Sequence, residues 1–430
     1  MPEVLSTTEV FCPACRCSHP ARQLLEEGRI IGEVDCPVGP WRTTLSVHAG
    51  LFLQFRRQAG FMPDYRAPEG RPFFFHYVPV TDDCNCRCPV CYSDSGTRDD
   101  NAYLSLEEAR EIARSALDRG AGIVVLVGGE PTMHPRLAEL IQLFSHSGLR
   151  VWMATNGLRL AADPALPARL KKAGLEKVSL QLDSFDVLTH RAIRGNDFIP
   201  EKIEAARLVA ASGLNLGVVC TVTSHNLAEL SSFCRRLFAW PDPPDTVVFQ
   251  GAAHTGRLAI DGNRHITREE IVSSLVEGQA INGLTNDHFW PIPVFRPLHI
   301  HVHPDCAANT VALITDRKVE TVSGYADMNR FIELASRSPE CPRPGSRRRY
   351  LLTLALQCMG LRGWGVLARH VIKRLFGGSG TRIVFIGTGA FLQRDFQDLS
   401  RVQRCGSAAL TASGCESLCS FHGKQPCNGA

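Results

Sequence analysis

From about residue 74 the chain alternates short apolar runs with longer amphipathic ones, and Gly, Pro, Asn or Asp bounds each apolar run. That is the rhythm of βα units. The apolar runs at 75–80, 122–127, 150–154, 177–182, 216–222 and 246–250 predict six buried strands. Between them Ser105, followed by Glu107 and Glu108, predicts a capped helix start, and Pro135 opens a second helix. Residues 166–173, 201–211 and 227–237 continue the series. Every crossover is long enough for parallel pairing. Six consecutive units predict an α/β fold, either a doubly wound sheet or a complete or partial barrel. In both, chemistry gathers at the C-terminal ends of the strands. Before residue 74 there is little periodicity, and after about 258 the rhythm breaks into Pro-rich, irregular segments.

A chain of 430 residues with 44% hydrophobic content can build two or three cores, which excludes a disordered or fibrous protein. Its 47 Lys and Arg against 43 Asp and Glu leave a formal charge of +4, too little for the broad basic field of a nucleic-acid binder. No apolar run reaches the ~18 residues of a membrane span. The start Met1-Pro2-Glu3-Val4 lacks the basic and apolar regions of a signal peptide, so a cytoplasmic location is expected. There a reducing environment would not keep the 17 cysteines as disulfides, and metal is the natural alternative.

The cysteines cluster at 12–36, 84–91 and 405–427. In the central group Cys84, Cys88 and Cys91 have the spacing CxxxCxxC, which chance would produce only about 0.03 times in a chain of this composition. A structural zinc site is closed by four ligands. A loop that gives three thiolates to a 4Fe-4S cluster leaves one iron open to a small molecule. Gly128-Gly129-Glu130-Pro131 ends the next predicted strand, where two glycines permit close backbone approach to a ligand and a carboxylate can grip an amine. A zinc loop of Cys84, Cys86, Cys88 and Cys91 would leave that motif unexplained.

CxxxCxxC followed by GGEP resembles the radical S-adenosylmethionine superfamily. The resemblance implies a partial (βα)6 TIM-type barrel in which the open iron chelates the amino and carboxylate groups of S-adenosylmethionine. One electron then yields methionine and a 5′-deoxyadenosyl radical, which abstracts hydrogen from an unactivated C–H bond. Carried over by position, Cys84, Cys88 and Cys91 ligate the 4Fe-4S cluster, and Gly128, Gly129, Glu130 and Pro131 border the methionine. Gln181 reaches the ribose or carboxylate, Tyr92 is the aromatic candidate near the adenine, and Cys86 is a spectator.

The flanks resemble the tetraether lipid synthase-like branch of that superfamily. Cys12-Pro13-Ala14-Cys15 with Cys36-Pro37 reads as a knuckle for a mononuclear iron or zinc, its fourth ligand Cys17 or a more distant cysteine. Segment 248–257, His303-Pro304-Asp305-Cys306 and Gln403-Arg404-Cys405 match as well. Cys306, Cys405, Cys415 and Cys419 are candidate ligands of auxiliary 4Fe-4S clusters, which in carbon-carbon coupling would take or give the product electron. The resulting division is an N-terminal Cys-rich metal-binding region at 1–73, a radical SAM core barrel at 74–258, and a C-terminal auxiliary iron-sulfur and substrate domain at 259–430.

Branch membership implies hydrogen abstraction followed by joining of lipid-chain carbons. The alternative is methyl transfer to, or another change in, a pterin-like or antibiotic-like small molecule. In a third reading the clusters serve only as an electron carrier. A flavodoxin or ferredoxin would supply the reducing electron. The basic, apolar stretch 347–375 reads as a helix packed on the protein, with peripheral membrane contact as the second reading. His190, Arg191 and Arg194 read as solvated loop charges, or as a grip on substrate phosphate.

Overall fold

The computed structural model describes residues 2–12, 15–59, 75–96, 102–260, 262, 264–291, 294–295, 300–301, 303–315, 318–337, 347–365, 381–393, 396–403, 405, 407–418 and 427–428. The predicted βα series is present. It runs β5 (Phe75–Thr81), α2 (Leu106–Asp118), β7 (Ile123–Gly128), α3 (Leu137–His146), β8 (Arg150–Thr155), α4 (Leu158–Ala162) and α5 (Leu166–Ala173), β9 (Leu175–Gln181), α6 (Val187–Arg194) and α7 (Ile199–Ala211), β10 (Asn215–Val222), α8 (Leu230–Phe238) and β11 (Thr246–Gly251). Each consecutive pair of these strands is parallel, in the order β5-β7-β8-β9-β10-β11. This is the partial (βα)6 barrel.

Alternation within the strands explains the two layers. Val78, Val80, Val124, Leu126, Val151, Met153, Val178 and Leu180 face α2, α3, α5 and α7 in one core. Ile123, Val125 and Val127 face the barrel interior with Phe75, Tyr77, Trp152 and Ala154. Ser105 caps α2 as predicted: its hydroxyl accepts from Glu108 N, and Glu108 Oε2 accepts from Ser105 N at 2.9 Å.

The C-terminal segments extend this sheet at both edges. β17 (Arg382–Ala390) adds parallel to β11, and β19 (Ser407–Thr411) adds parallel to β5. Antiparallel β15 (Ala307–Thr315) and β16 (Lys318–Thr321) continue beyond β17, and β20 (Gly414–Ser417) lies beyond β19. Among the described residues no ladder joins the two ends, so the barrel stays open. After β11 also come β12 (Gly256–Leu258), α9 (Arg268–Glu277), the ribbon of β13 (Val294–Phe295) and β14 (Ile300–His301), and α10 (Met328–Arg337).

The region before residue 60 is more regular than its weak periodicity suggests. β1 (Glu3–Phe11), β2 (Ser18–Glu26), β3 (Arg29–Val34) and β4 (Trp41–Ser46) form an antiparallel meander, followed by α1 (Ala49–Ala59). Its apolar side chains split into two small clusters, one of Val10, Ala21, Val34 and Phe396 and one of Ile30, Ala49 and Phe52 against α1. Clusters that small leave little alternation to read. The overlooked signal was Glu27-Gly28, whose φ values of 48° and 76° make the tight turn between β2 and β3. β18 (Gln397–Asp398) pairs with β1, which ties this sheet to the C-terminal part of the chain.

The basic, apolar stretch begins as α11 (Arg347–Cys358), which ends before Gly360. Leu354 and Cys358 are buried, whereas Leu352, Leu361 and Trp364 are exposed. No helix among the described residues is long and apolar enough to cross a membrane.

Candidate functional site

Residues 82–96 form the loop that leaves β5, and short β-pairing holds its far end. β6 (Val90–Cys91) pairs antiparallel with β12, which in turn pairs with β21 (Cys427–Asn428). Gly256 has a φ of 66°, and a Cβ there would lie 2.5 Å from Tyr92 C. The neighbouring Arg257 grips the loop directly: it donates to Cys88 O at 2.6 Å, Asp94 Oδ1 at 2.7 Å and Ser95 O at 3.2 Å. The matched segment 248–257 therefore acts on the cysteine loop.

Within the loop Cys86 is buried, while Cys84, Cys88 and Cys91 are half-buried. The Cys86 thiol hydrogen-bonds both Cys84 and Cys88. That bond pulls Cys88 down to about 6 against the cost of burial, with help from the Arg194 and Lys202 charges. Cys84 is lowered for the same first reason, and Cys86 is raised. Asn156 Nδ2 lies 3.5 Å from Cys86 Sγ on the inner side. Three half-buried thiols above a buried fourth fit a three-cysteine iron-binding loop with Cys86 beneath it.

The GGEP segment is built into the underside of this loop. Gly129 N donates to Thr81 O at 2.7 Å and Glu130 N to Asp83 O at 2.8 Å. Gly128 has a φ of 132°, and a Cβ at Gly129 would lie 2.8 Å from Asp82 O. The glycines are thus required by the close passage of residues 81–83, a constraint separate from any ligand. Glu130 is buried, and its carboxylate accepts from Thr132 N, Thr132 Oγ1, Thr155 Oγ1 and Asn156 N at 2.6–3.1 Å. It locks the β7 and β8 ends together. Pro131 starts the short helical turn that follows.

Two buried cations underlie the cysteines, and the first departs from the solvated-charge reading. Arg194 is buried, forms a doubly bonded pair with Asp183 at 2.6 and 2.8 Å, and donates to Val90 O at 2.9 Å and Thr221 Oγ1 at 2.9 Å. Burial alone would raise the Asp183 carboxyl, but Arg194 and Lys202 hold it below its ordinary value. With all three guanidinium nitrogens engaged inside the protein, Arg194 is no surface phosphate grip. Lys202 donates to Asn156 O and Gln181 O at 2.9 Å and to Gln181 Oε1 at 3.2 Å, while burial pulls it down to about 8. Gln181 is thereby fixed at the end of β9. Arg194→Met should lower unfolding free energy by about 3–5 kcal/mol by stranding a buried carboxylate, and Asp183→Asn in the same chain should restore much of it. Denaturant titration of the two variants checks this.

Tyr92 packs its ring against Phe391, with centroids 6.4 Å apart, and burial pushes its hydroxyl well above the ordinary value. Phe391 follows β17 and also lines a small cleft with Phe52, Phe396, Arg268, Glu269 and Asp305. Arg268 pairs with Glu269, and Arg56 with Asp305 at 2.6 Å.

Among the described residues, Cys306 and Cys405 lie near each other and Cys415 lies on another part of the sheet. Cys306 and Cys405 are electrostatic neighbours, with Arg401 beside Cys306, whose thiol is raised by burial. Cys405 Sγ lies 3.0 Å from Ser407 O. Cys415 pairs with Leu410 and packs into the helix-facing core, across the sheet from Tyr77, which senses Cys405. Cys419 lies outside the described residues.

At the N-terminus the structure gathers Cys12, Cys15 and Cys36, together with His19, which the sequence analysis missed. Cys17 stands apart, exposed, with its Sγ near Cys15 O at 3.5 Å. Period-2 counting along 18–23 could have found the histidine, because His19 shares the inward face with buried Ala21 and Gln23.

Residues 78–237 match the family model described as the radical SAM superfamily. The chain is 27% identical over 372 residues to a 7,8-dihydro-6-hydroxymethylpterin dimethyltransferase of Methanocaldococcus jannaschii, covering 77% of this chain and 72% of that one. It is 31% identical over 180 residues to a GTP 3′,8-cyclase of Klebsiella pneumoniae, spanning 53% of that protein's length and 40% of its own. Among solved structures, methylornithine synthase aligns with a TM-score of 0.42 at 18% identity, over 53% of this chain and 68% of that one.

Proposed function

We propose, for a chain that belongs to the radical SAM superfamily through residues 78–237, a radical enzyme that removes hydrogen from an unactivated carbon of a small polar substrate. The superfamily's cofactors are a 4Fe-4S cluster and S-adenosylmethionine, which together supply a 5′-deoxyadenosyl radical. Cys84, Cys88 and Cys91 would hold the cluster, with Cys86 donating beneath them. Gly128, Gly129, Gln181 and Tyr92 would border the S-adenosylmethionine. The side chain of Glu130 serves instead to fix the strand ends around it. The observation that carries the reading is the placing of the four thiols on a loop gripped by Arg257: Cys84, Cys88 and Cys91 are half-buried and within reach of iron, while Cys86 is buried beneath them.

The pterin-modifying relative, which matches most of both chains, supports radical methylation or a related change in a pterin-like ring. Lipid-chain coupling is the second reading, favoured by exposed Leu352, Leu361 and Trp364 beyond the basic start of α11. Reduced holoenzyme, S-adenosylmethionine and either 7,8-dihydro-6-hydroxymethylpterin or a dialkyl lipid should be incubated without oxygen. A methylated pterin formed with 5′-deoxyadenosine supports the first reading, and a coupled lipid supports the second. A low-potential flavodoxin or ferredoxin is the proposed electron source.

A further inference from the structure

We propose that Cys12, Cys15, His19 and Cys36 form a closed, four-ligand structural zinc site, with His19 as the fourth ligand. The ligand atoms all lie within 4.8 Å of one another. Cys36 Sγ is 3.8 Å from Cys12 Sγ and 3.9 Å from Cys15 Sγ. Thiolates at about 2.3 Å from a tetrahedral zinc sit about 3.8 Å apart, so these spacings are the edges of a zinc tetrahedron. His19 Nε2 supplies the fourth donor; it hydrogen-bonds Cys15 Sγ at 2.9 Å, a contact that an ion would open to an edge of about 3.6 Å.

The ligands come from three separate pieces of backbone. Cys12 and Cys15 lie in the turn after β1, where Cys12 N donates to Cys17 O and Arg16 N to Cys12 O. His19 is in β2, opposite buried Val10. Cys36 follows β3 in a turn closed by Gly39 N to Cys36 O at 3.0 Å. An ion here would tie the β1–β2 hairpin to the β3–β4 connection, at the end of a sheet whose apolar clusters are small. That is a setting in which metal substitutes for core.

The donor set also chooses the metal. Three thiolates and one imidazole, converging on one point, suit a single zinc. A 4Fe-4S cubane spreads its thiolates over separate irons and needs a wider cage. Cys12 and Cys36 are buried, Cys15 and His19 half-buried, and four protein ligands leave no coordination position for a substrate. Cys17 is excluded by its exposure.

The full-length holoenzyme, purified without oxygen, should contain one zinc per chain beside its iron by mass spectrometry of the metals. His19→Ala should weaken zinc retention against a chelator at least tenfold, whereas Cys17→Ala should retain zinc like the parent. His19→Cys should hold metal again, with the cobalt-substituted protein showing tetrahedral d–d bands moved to lower energy. This variant answers the question even if His19→Ala fails to fold. Full retention by His19→Ala together with loss by Cys17→Ala would overturn the assignment. So would a rubredoxin-type iron spectrum, or absence of zinc from the parent. These readouts are metal content and spectra, so they stand whether or not the chain forms 5′-deoxyadenosine.

Discussion

Replacing Cys84, Cys88 or Cys91 singly by alanine is expected to lower the rate of 5′-deoxyadenosine formation by more than about 10³-fold, because three thiolates that hold one cluster act as a unit. Cys86→Ala should leave a reconstituted cluster and a measurable rate. The structure separates the two outcomes: Cys86 is a buried thiol that donates to its neighbours, while Cys84 and Cys88 accept. Loss of that donor lets the Cys88 pKa rise from about 6 toward the ordinary thiol value. Iron uptake by Cys86→Ala should therefore slow as pH falls through 8 to 7, where the parent still presents a thiolate. Anaerobic iron analysis and product quantification at several pH values check both halves. Equal losses from all four substitutions would argue for a four-cysteine site.

Gly129→Ala is expected to be nearly as damaging without touching any ligand. Its Cβ would overlap Asp83 O and lie 2.8 Å from Asp82 O, both backbone atoms at the root of the cysteine loop. Neither can rotate away, so either the Glu130 N to Asp83 O bond breaks or the loop shifts. The expected cost is about 1–3 kcal/mol or more, together with most of the bound iron. Gly148→Ala is the control: its φ is 89° but nothing lies within 4 Å of the added carbon. It should cost only about 1–2 kcal/mol from backbone strain and leave the iron content unchanged. Thermal melts and iron content of the two variants test the contrast.

Six strands of the barrel were legible as short, largely apolar runs between turn residues: Ile123–Gly128 is buried along nearly its whole length, and β5, β8, β9 and β11 alternate buried with less buried positions. The added parallel strands β17 and β19 were not. Ile383 and Phe385 of β17 are exposed, so alternation there does not announce a barrel edge. The three-cysteine loop was visible as spacing, but its electrostatics was not. Arg194 carries no local mark of burial, and only the return of the chain beside Asp183 and Val90 O reveals what it does. The GGEP glycines were found for one reason and are required for another, since contact with residues 81–83 is non-local. His19 was missed because a search among cysteines for a fourth ligand passes over an imidazole on the adjoining strand.

Electron–nuclear double resonance on the reduced holoenzyme with S-adenosylmethionine labelled in its amino nitrogen and carboxylate tests the central claim most directly. The account predicts hyperfine coupling of both labels to the cluster, in the parent and in Cys86→Ala alike. A fully reduced cluster that shows no coupling, with a fourth cysteine thiolate on its remaining iron, would contradict it.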